Sequence, residues 1–235
     1  MALIKYAVMQ PYFFPYIGYF QLMAEVDVFV VYDNIKYTKK GWINRNRILL
    51  NGKDSTFSLP LKKDSDFLDV KDRVLSETFN RDDLINKIRG AYRRAPYFKN
   101  VFPLLENIIN YRDDNLFNYI LYSLESIKGY LGLACNIKVS SSINIDHSLK
   151  SQDKVLAFGN ALGAKSYSNP PGGISLYSQE AFSLHGMTLN FIQPNNIIYK
   201  QFDEPFVAWL SIIDVMMFNS SDEVLHLITH EYELI

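Results

Sequence analysis

The strongest constraint on this chain lies in residues 3–33. A short apolar run, Leu3–Met9, leads into QPYFFPYIGYF at 10–20, a segment of rings, prolines and one glycine. GYFQLMA at 18–24 has helical length and spacing. Asp27-Val28-Phe29-Val30-Val31-Tyr32 then runs up to Asp33, apolar and β-branched without alternation. Such a run predicts a strand buried on both faces, as in a parallel sheet. Strand, loop, helix and parallel strand form a βαβ unit, which commits the chain to the α/β class.

The rest of the chain extends that pattern. Residues 34–53 are polar, with Lys36, Lys39, Lys40, Arg45 and Arg47 around Trp42. Thr56–Leu61 predicts a short strand ending at Pro60, and Val70–Leu75 another. From Arg81 to about Leu133 the pattern is helical: Leu84, Ile85, Ile88 and Tyr92 share one face, and Pro96 and Pro103 punctuate the run. LFNYILYSLESIKGYLGL is an amphipathic helix, capped by Asp114 or Asn115. A helix opening at Ser151 closes on Gly163. AKSYSNPPGG runs from a strand into a proline- and glycine-rich loop. Glu180–Leu184 reads as a helical turn, Met187–Ile192 as a strand, and FVAWLSIIDVMMFNSSDEVLHLI as two helices separated by Asn219–Ser221. No internal repeat or linker stands out. The expected fold is one α/β domain over 1–235: a Rossmann-like parallel sheet with a nucleotidyltransferase/HUP-like first βαβ unit and a helical insertion at about 81–133.

Composition excludes several classes. With 24 basic against 25 acidic residues, broad nucleic-acid binding is not expected. No apolar window is long enough to span a bilayer. The N-terminal MALIKYAVMQPYFF lacks the layout of a secretory signal. The single cysteine, Cys135, forbids an intrachain disulfide and fits a reducing compartment. Within GYLGLACNIKV it reads as a buried structural residue rather than a reactive thiol. His226 and His230 are four apart on a predicted helix, with Glu231 following. They read as a surface pair, and no metal is indicated.

Open α/β sheets bind ligands beyond the carboxyl ends of their strands, which singles out the loop QPYFFPYI and its residues Gln10 and Tyr12. Gly18, at the following helix start, can offer backbone N–H groups to an anion. Tyr16-Ile17-Gly18-Tyr19 has the shape of the HxGH signature of nucleotidyltransferases, with tyrosine at both histidine positions. Tyrosine donates to phosphate and stacks on rings but stays neutral near pH 7, which fits a nucleotide-type pocket and not adenylyl transfer. The alternative is that these rings pack under the sheet. In KKGWINRNR, Lys40, Asn44 and Arg45 suit phosphates and hydroxyls, and Trp42 suits a base or sugar face. The alternative is a solvated basic loop. Asp33, at a strand end, is placed for a general base or ribose ligand, or else forms a turn. Tyr167, Gly172 and Gly173 belong to a segment that allows close backbone approach to a ligand or forms a plain turn; it is no P-loop. Ser211 and Asp214 share a helix face, but no histidine adjoins them to make a hydrolytic triad.

QPYFFPYIGYFQLM, DVFVVYD and KKGWINRNRI, with GAKSYSNPPGG, FSLHGMTLNF and LSIIDVMMFN further on, resemble the blocks of the WbqC-like protein family. The resemblance covers nearly the full chain. Members are associated with bacterial surface-polysaccharide (O-antigen) gene clusters. It therefore implies a cytoplasmic protein acting around nucleotide-linked sugars. Signature positions carried over are Gln10, Tyr12, Pro15, Tyr16, Gly18, Asp33, Trp42, Asn44 and Arg45, none with an assigned role. The expected function is a transferase adding an acyl or aminoacyl group, from an activated acyl donor, to the amine of a nucleotide-linked amino sugar. Asp33 would act as the base. Arg45, Lys40 and the Gly18 backbone would hold the diphosphate, and Tyr12, Tyr16 or Trp42 would hold the sugar. The alternatives are a non-catalytic nucleotide-sugar or glycan-precursor binder, or a degenerate HxGH-type nucleotidyltransferase.

Overall fold

A computed structural model describes residues 3–202 and 205–235. In chain order the elements are β1 (Lys5–Met9), α1 (Ile17–Glu25), β2 (Val28–Val31), β3 (Arg45–Leu50), β4 (Lys53–Ser58), α2 (Arg81–Tyr92), α3 (Phe98–Ile109), α4 (Leu116–Tyr130), β5 (Asn136–Val139), α5 (Ser151–Leu162), β6 (Ser166–Asn169), α6 (Gln179–Leu184), β7 (Thr188–Pro194), α7 (Ile212–Phe218), α8 (Ser221–His230) and β8 (Tyr232–Leu234).

β1-α1-β2 forms the expected βαβ unit, with β1 and β2 parallel in the register Tyr6↔Val28 to Met9↔Val31. β2 pairs on its other edge with β5, also parallel. Phe29, Val30 and Val31 are fully buried, which is why this strand lacks polar alternation. The main sheet has the order β5-β2-β1-β6-β7-β8, with β8 antiparallel at the edge. Counted within this sheet, that is 3-2-1-4-5-6, the doubly wound order of a Rossmann-like fold, reversing between β1 and β6.

Both sheet faces are covered. On one, Phe20, Leu22 and Met23 of α1 pack with Ile213, Val224 and Ile228 and with the apolar faces of α2, α3 and α4. On the other, Val155 and Phe158 of α5 and Phe182 of α6 pack on Tyr6, Val8 and Leu189. α5 approaches closely: a Cβ on Gly159 would lie 2.6 Å from both Tyr6 Oη and Met187 Sδ.

Four local expectations need correction. First, the segment around Arg45 is not a basic loop but the first strand of an antiparallel hairpin, β3–β4, paired from Arg45↔Ser58 to Leu50↔Lys53. Asn51 (φ 52°) and Gly52 (φ 74°) supply the two left-handed residues of a two-residue turn. Second, the strand expected at 56–61 is β4, ending at Ser58, because the hairpin register starts it at Lys53. Third, Val70–Leu75 is not a strand. It opens with a 3-10 turn at Val70–Asp72, and its donors are scattered: Val70 N to Ile35 O, Lys71 N to Asp33 O, Leu75 N to Asp114 O. Fourth, the first C-terminal helix begins only at Ile212, where Ser211 caps it through the Ile213 N–H.

Asn115 caps α4, and Ser220 with Glu223 forms a capping box on α8. Cys135 is buried, and burial pushes its thiol up to about 11, so it is unreactive near neutral pH. Among the described residues, no helix is long and apolar enough to cross a membrane.

Candidate functional site: a crevice at the sheet switch point

The loop after β1 divides its rings between two tasks. Phe13 and Phe14 are fully buried, whereas Tyr12 and Tyr16 are half-buried and face cavities. Phe14 takes the left-handed φ of 47°, a cost of roughly 1–3 kcal/mol for a non-glycine residue. Burial of each phenyl ring returns about 1.5–3 kcal/mol. Hydrogen bonds fix the turn from two distant segments. Asn46 Nδ2 and Ser211 Oγ donate to the Phe14 carbonyl at 2.7 and 2.8 Å, and Ile212 N to the Pro15 carbonyl at 2.8 Å. Tyr19 Oη donates to the Gln10 carbonyl at 2.9 Å, which sets Gln10 at the end of β1.

Beyond the carboxyl ends of β1, β2 and β6 lies a cavity of about 960 Å³. It sits where the strand order reverses, the position at which doubly wound sheets hold ligands. Gln10, Tyr12, Tyr32, Asn169 and Tyr177 line it, with the segment His147–Ser151 that leads into α5. Three lysines line it, Lys36, Lys150 and Lys154, and Asp69 is the one carboxylate among the described lining residues.

Lys154 is 7% exposed. Its ammonium lies 3.3 Å from the His147 carbonyl and 5.6 Å from the centre of the Tyr32 ring, and it makes no salt bridge among the described residues. Burial lowers its pKa, and the carboxylates of Asp69 and Asp33 pull it back up. A buried ammonium without a paired carboxylate favours an anion in the adjoining space. His147 is held as a wall: Nδ1 lies 2.9 Å from Asn34 Nδ2, and Nε2 lies 3.1 Å from the Ile143 carbonyl. Both ring nitrogens are thus engaged, which fixes the orientation of the ring.

Of the residues singled out from sequence, the fold brings Gln10, Tyr12, Gly172 and Gly173 together around this crevice. A Cβ on Gly173 would lie 1.8 Å from Asn169 Nδ2, so any side chain there would displace the Asn169 amide. Tyr167 is fully buried beneath, stacked on Phe182 at 5.3 Å, and its hydroxyl donates to Asn169 Oδ1 at 3.1 Å. It supports the crevice from below.

Asp33 lies behind the crevice and outside its lining. Burial alone would raise its pKa, but hydrogen bonds from the Ser141 hydroxyl, the Ser140 hydroxyl and the Ser141 N–H outweigh it and hold the carboxyl below the usual range. Through these bonds Asp33 fastens the 3-10 turn Ser140–Ser142, which follows β5, to the end of β2.

The remaining candidates lie elsewhere. Asn44 accepts from Tyr37 Oη at 2.8 Å and donates to the Leu59 carbonyl at 2.7 Å, closing the base of the hairpin. Arg45 donates to the carbonyls of Gly41 and Lys40, and so closes its own loop. The side chain of Lys40 is exposed and lines none of the cavities described here. Trp42, Tyr16 and Gly18 belong to clefts on the other side of Tyr12, where Tyr16 and Trp209 approach at 5.2 Å between ring centres.

Sequence reasoning missed Lys36, Lys150, Lys154, His147 and Trp209. Lys154 had one available signal: a lysine in the first turn of a helix opposes the helix dipole and needs another reason to be there. His226 and His230 stack at 4.7 Å between ring centres, and no cluster of three or more His, Cys, Asp or Glu side chains suited to a metal occurs among the described residues.

Fold and site together define a Rossmann-like α/β protein with a ligand-sized, lysine-lined crevice at its switch point. The model of the WbqC-like protein family matches residues 10–226, and the chain belongs to that family. It is also similar to the uncharacterized protein Rv1507c of Mycobacterium tuberculosis, at 25% identity over 224 residues, covering 93% of this chain and 95% of that protein. No solved structure matches the chain.

Proposed function

We propose that this WbqC-like protein is a cytoplasmic enzyme of bacterial surface-polysaccharide (O-antigen) biosynthesis, which binds a nucleotide-linked amino sugar in the crevice and transfers an acyl or aminoacyl group to its amine. The observation that carries this is Lys154, a buried ammonium facing a cavity of about 960 Å³ at the sheet's switch point. Lys36 and Lys150 add positive charge to the same cavity, and the aromatic side chains of Tyr12, Tyr32 and Tyr177 line it. The amine nitrogen attacks the carbonyl carbon of an activated acyl donor. The new C–N bond forms, and the donor's leaving group departs with the electrons of its own bond to that carbon. The ammonium proton passes to a base. Asp69, half-buried in the lining, takes the part first expected of Asp33, whose oxygens are occupied by Ser140 and Ser141.

A thermal-shift screen with dTDP-, UDP- and GDP-linked sugars tests this. Stabilisation by at least one, lost in Lys154→Met, is the expected result; no stabilisation by any of them would sink it. The engagement of Asp33 by three donors favours a second reading, a non-catalytic nucleotide-sugar binder. Asp69→Asn separates the two, since an enzyme loses acyl transfer and keeps binding, whereas a binder never modifies the sugar. The HxGH-type nucleotidyltransferase reading has less support, because Tyr16 and Tyr19 lie outside the crevice lining.

A further inference from the structure

Beside the crevice lies a second cleft, of about 410 Å³, walled by Met9, Pro15, Tyr16, Ile192, Pro194 and Trp209. Tyr12 and Gly172 line both spaces, so the two meet at the edge of the Tyr12 ring. Among the described lining residues, the polar side-chain groups are the Gln193 amide, the tyrosine hydroxyls and the Trp209 indole N–H. A sugar placed here would lose hydration on several hydroxyls with few partners to replace it. A saturated chain makes no such demand.

The wall is built at some cost. Trp209 takes a left-handed φ of 61° and is 65% exposed. It is held there by Arg47, which donates to the Trp209 carbonyl at 3.0 Å while its own carbonyl accepts from Ser211 N at 2.9 Å. Core packing does not account for an exposed indole on strained backbone; a ligand laid against the ring would. Gly18 contributes from α1: a Cβ there would press on the Tyr16 ring at 3.2 Å, so glycine leaves room for that ring in the lining.

We propose that this cleft is a second ligand subsite and that it takes a saturated acyl or alkyl chain. Assigning the chain to the acyl donor rests on the transferase reading of the neighbouring crevice; the subsite itself rests on its lining. A polar substrate then sits on one side of Tyr12 and the donor's chain on the other.

Straight-chain alkanoates from butanoate to decanoate, titrated into the intact protein by calorimetry, test it. Affinity should rise about fourfold per added methylene until the cleft is full. Trp209→Ala should weaken octanoate at least tenfold and leave the melting temperature unchanged. Gly172→Leu, whose Cβ meets open space, should block octanoate by filling the shared mouth. Affinity independent of chain length, or octanoate binding untouched by both variants, would overturn the proposal. If nucleotide-linked sugars fail to bind while the alkanoate series behaves as expected, the crevice reading falls and the subsite stands; the converse result removes the subsite alone.

Discussion

The Tyr92 hydroxyl donates to Asp214 Oδ1 across 2.7 Å and so joins the end of α2 to the first turn of α7. Tyr199 Oη and Gln201 Nε2 donate to the other carboxylate oxygen at 2.7 and 2.6 Å. Tyr92 also accepts from Leu49 N of the hairpin at 2.9 Å. Asp214 has no exposed surface and no salt bridge among the described residues, so donors alone satisfy it. This knot fixes the two ends of the segment that carries Trp209.

Asp214→Ala leaves three donors without their acceptor and should cost about 3 kcal/mol or more in chemical denaturation. Asp214→Asn should cost less. Burial holds the Asp214 pKa above its ordinary value, although its three hydrogen bonds lower it in part. A raised folded pKa means stability that is full below the unfolded value and lost as pH rises through the folded one. The stability advantage of the wild type over Asp214→Asn should therefore shrink from pH 4 to pH 7. A widening gap would contradict this assignment.

Asp33 predicts the opposite slope. Its pKa is lowered, so its contribution is present at neutral pH and is lost as pH falls through the folded value. Asp33→Asn should destabilise by about 1–3 kcal/mol at pH 7, with the gap closing in acid. As the anchor of the turn at Ser140, it should weaken ligand binding and stability together. Full stability and binding with turnover abolished would restore Asp33 to the role of base.

Lys154→Met should weaken binding of a nucleoside diphosphate by roughly 10- to 100-fold, the worth of one charge-assisted hydrogen bond. The melting temperature should hold or rise, because a buried ammonium is replaced by an apolar chain of similar length. Since the Lys154 pKa is lowered by burial, wild-type binding should fade at a lower alkaline pH than an ordinary lysine would give. Calorimetric titration across that range reads both effects.

The adjacent glycines should behave differently. Gly173→Ala drives a methyl into Asn169 and should lower both the melting temperature and ligand affinity. Gly172→Ala adds a methyl to open space and should leave the melting temperature within a degree or two.

The βαβ unit was legible because β2 is central and apolar on both faces, and the switch-point crevice follows from where β1 ends. β3 was hidden because its inward position 46 carries an asparagine, which serves the Phe14 carbonyl rather than the core. The Asn51–Gly52 turn was the signal that could have revealed it. β5, NIKV, is short and only partly buried at the sheet edge, so its sequence carries little hydrophobic period. At the site, Gln10, Tyr12, Gly172 and Gly173 follow strand ends in sequence and were found for that reason. Lys154 and Trp209 become neighbours of that place only through tertiary packing, and sequence spacing does not encode it.

The reversal of strand order has a consequence for the chain as it is made. β1 pairs with β6 through Lys5↔Ser166 and Tyr6↔Tyr167, so one edge of β1 has no partner until residue 166 has been synthesised. At roughly 5–20 residues per second, that edge waits on the order of 8–30 s. During that interval β1, β2 and β5 can assemble on their own, with the inner edge of the future sheet open to other strands. The crevice is thus completed late, and a nascent chain arrested before β6 would expose an edge suited to aggregation or chaperone capture.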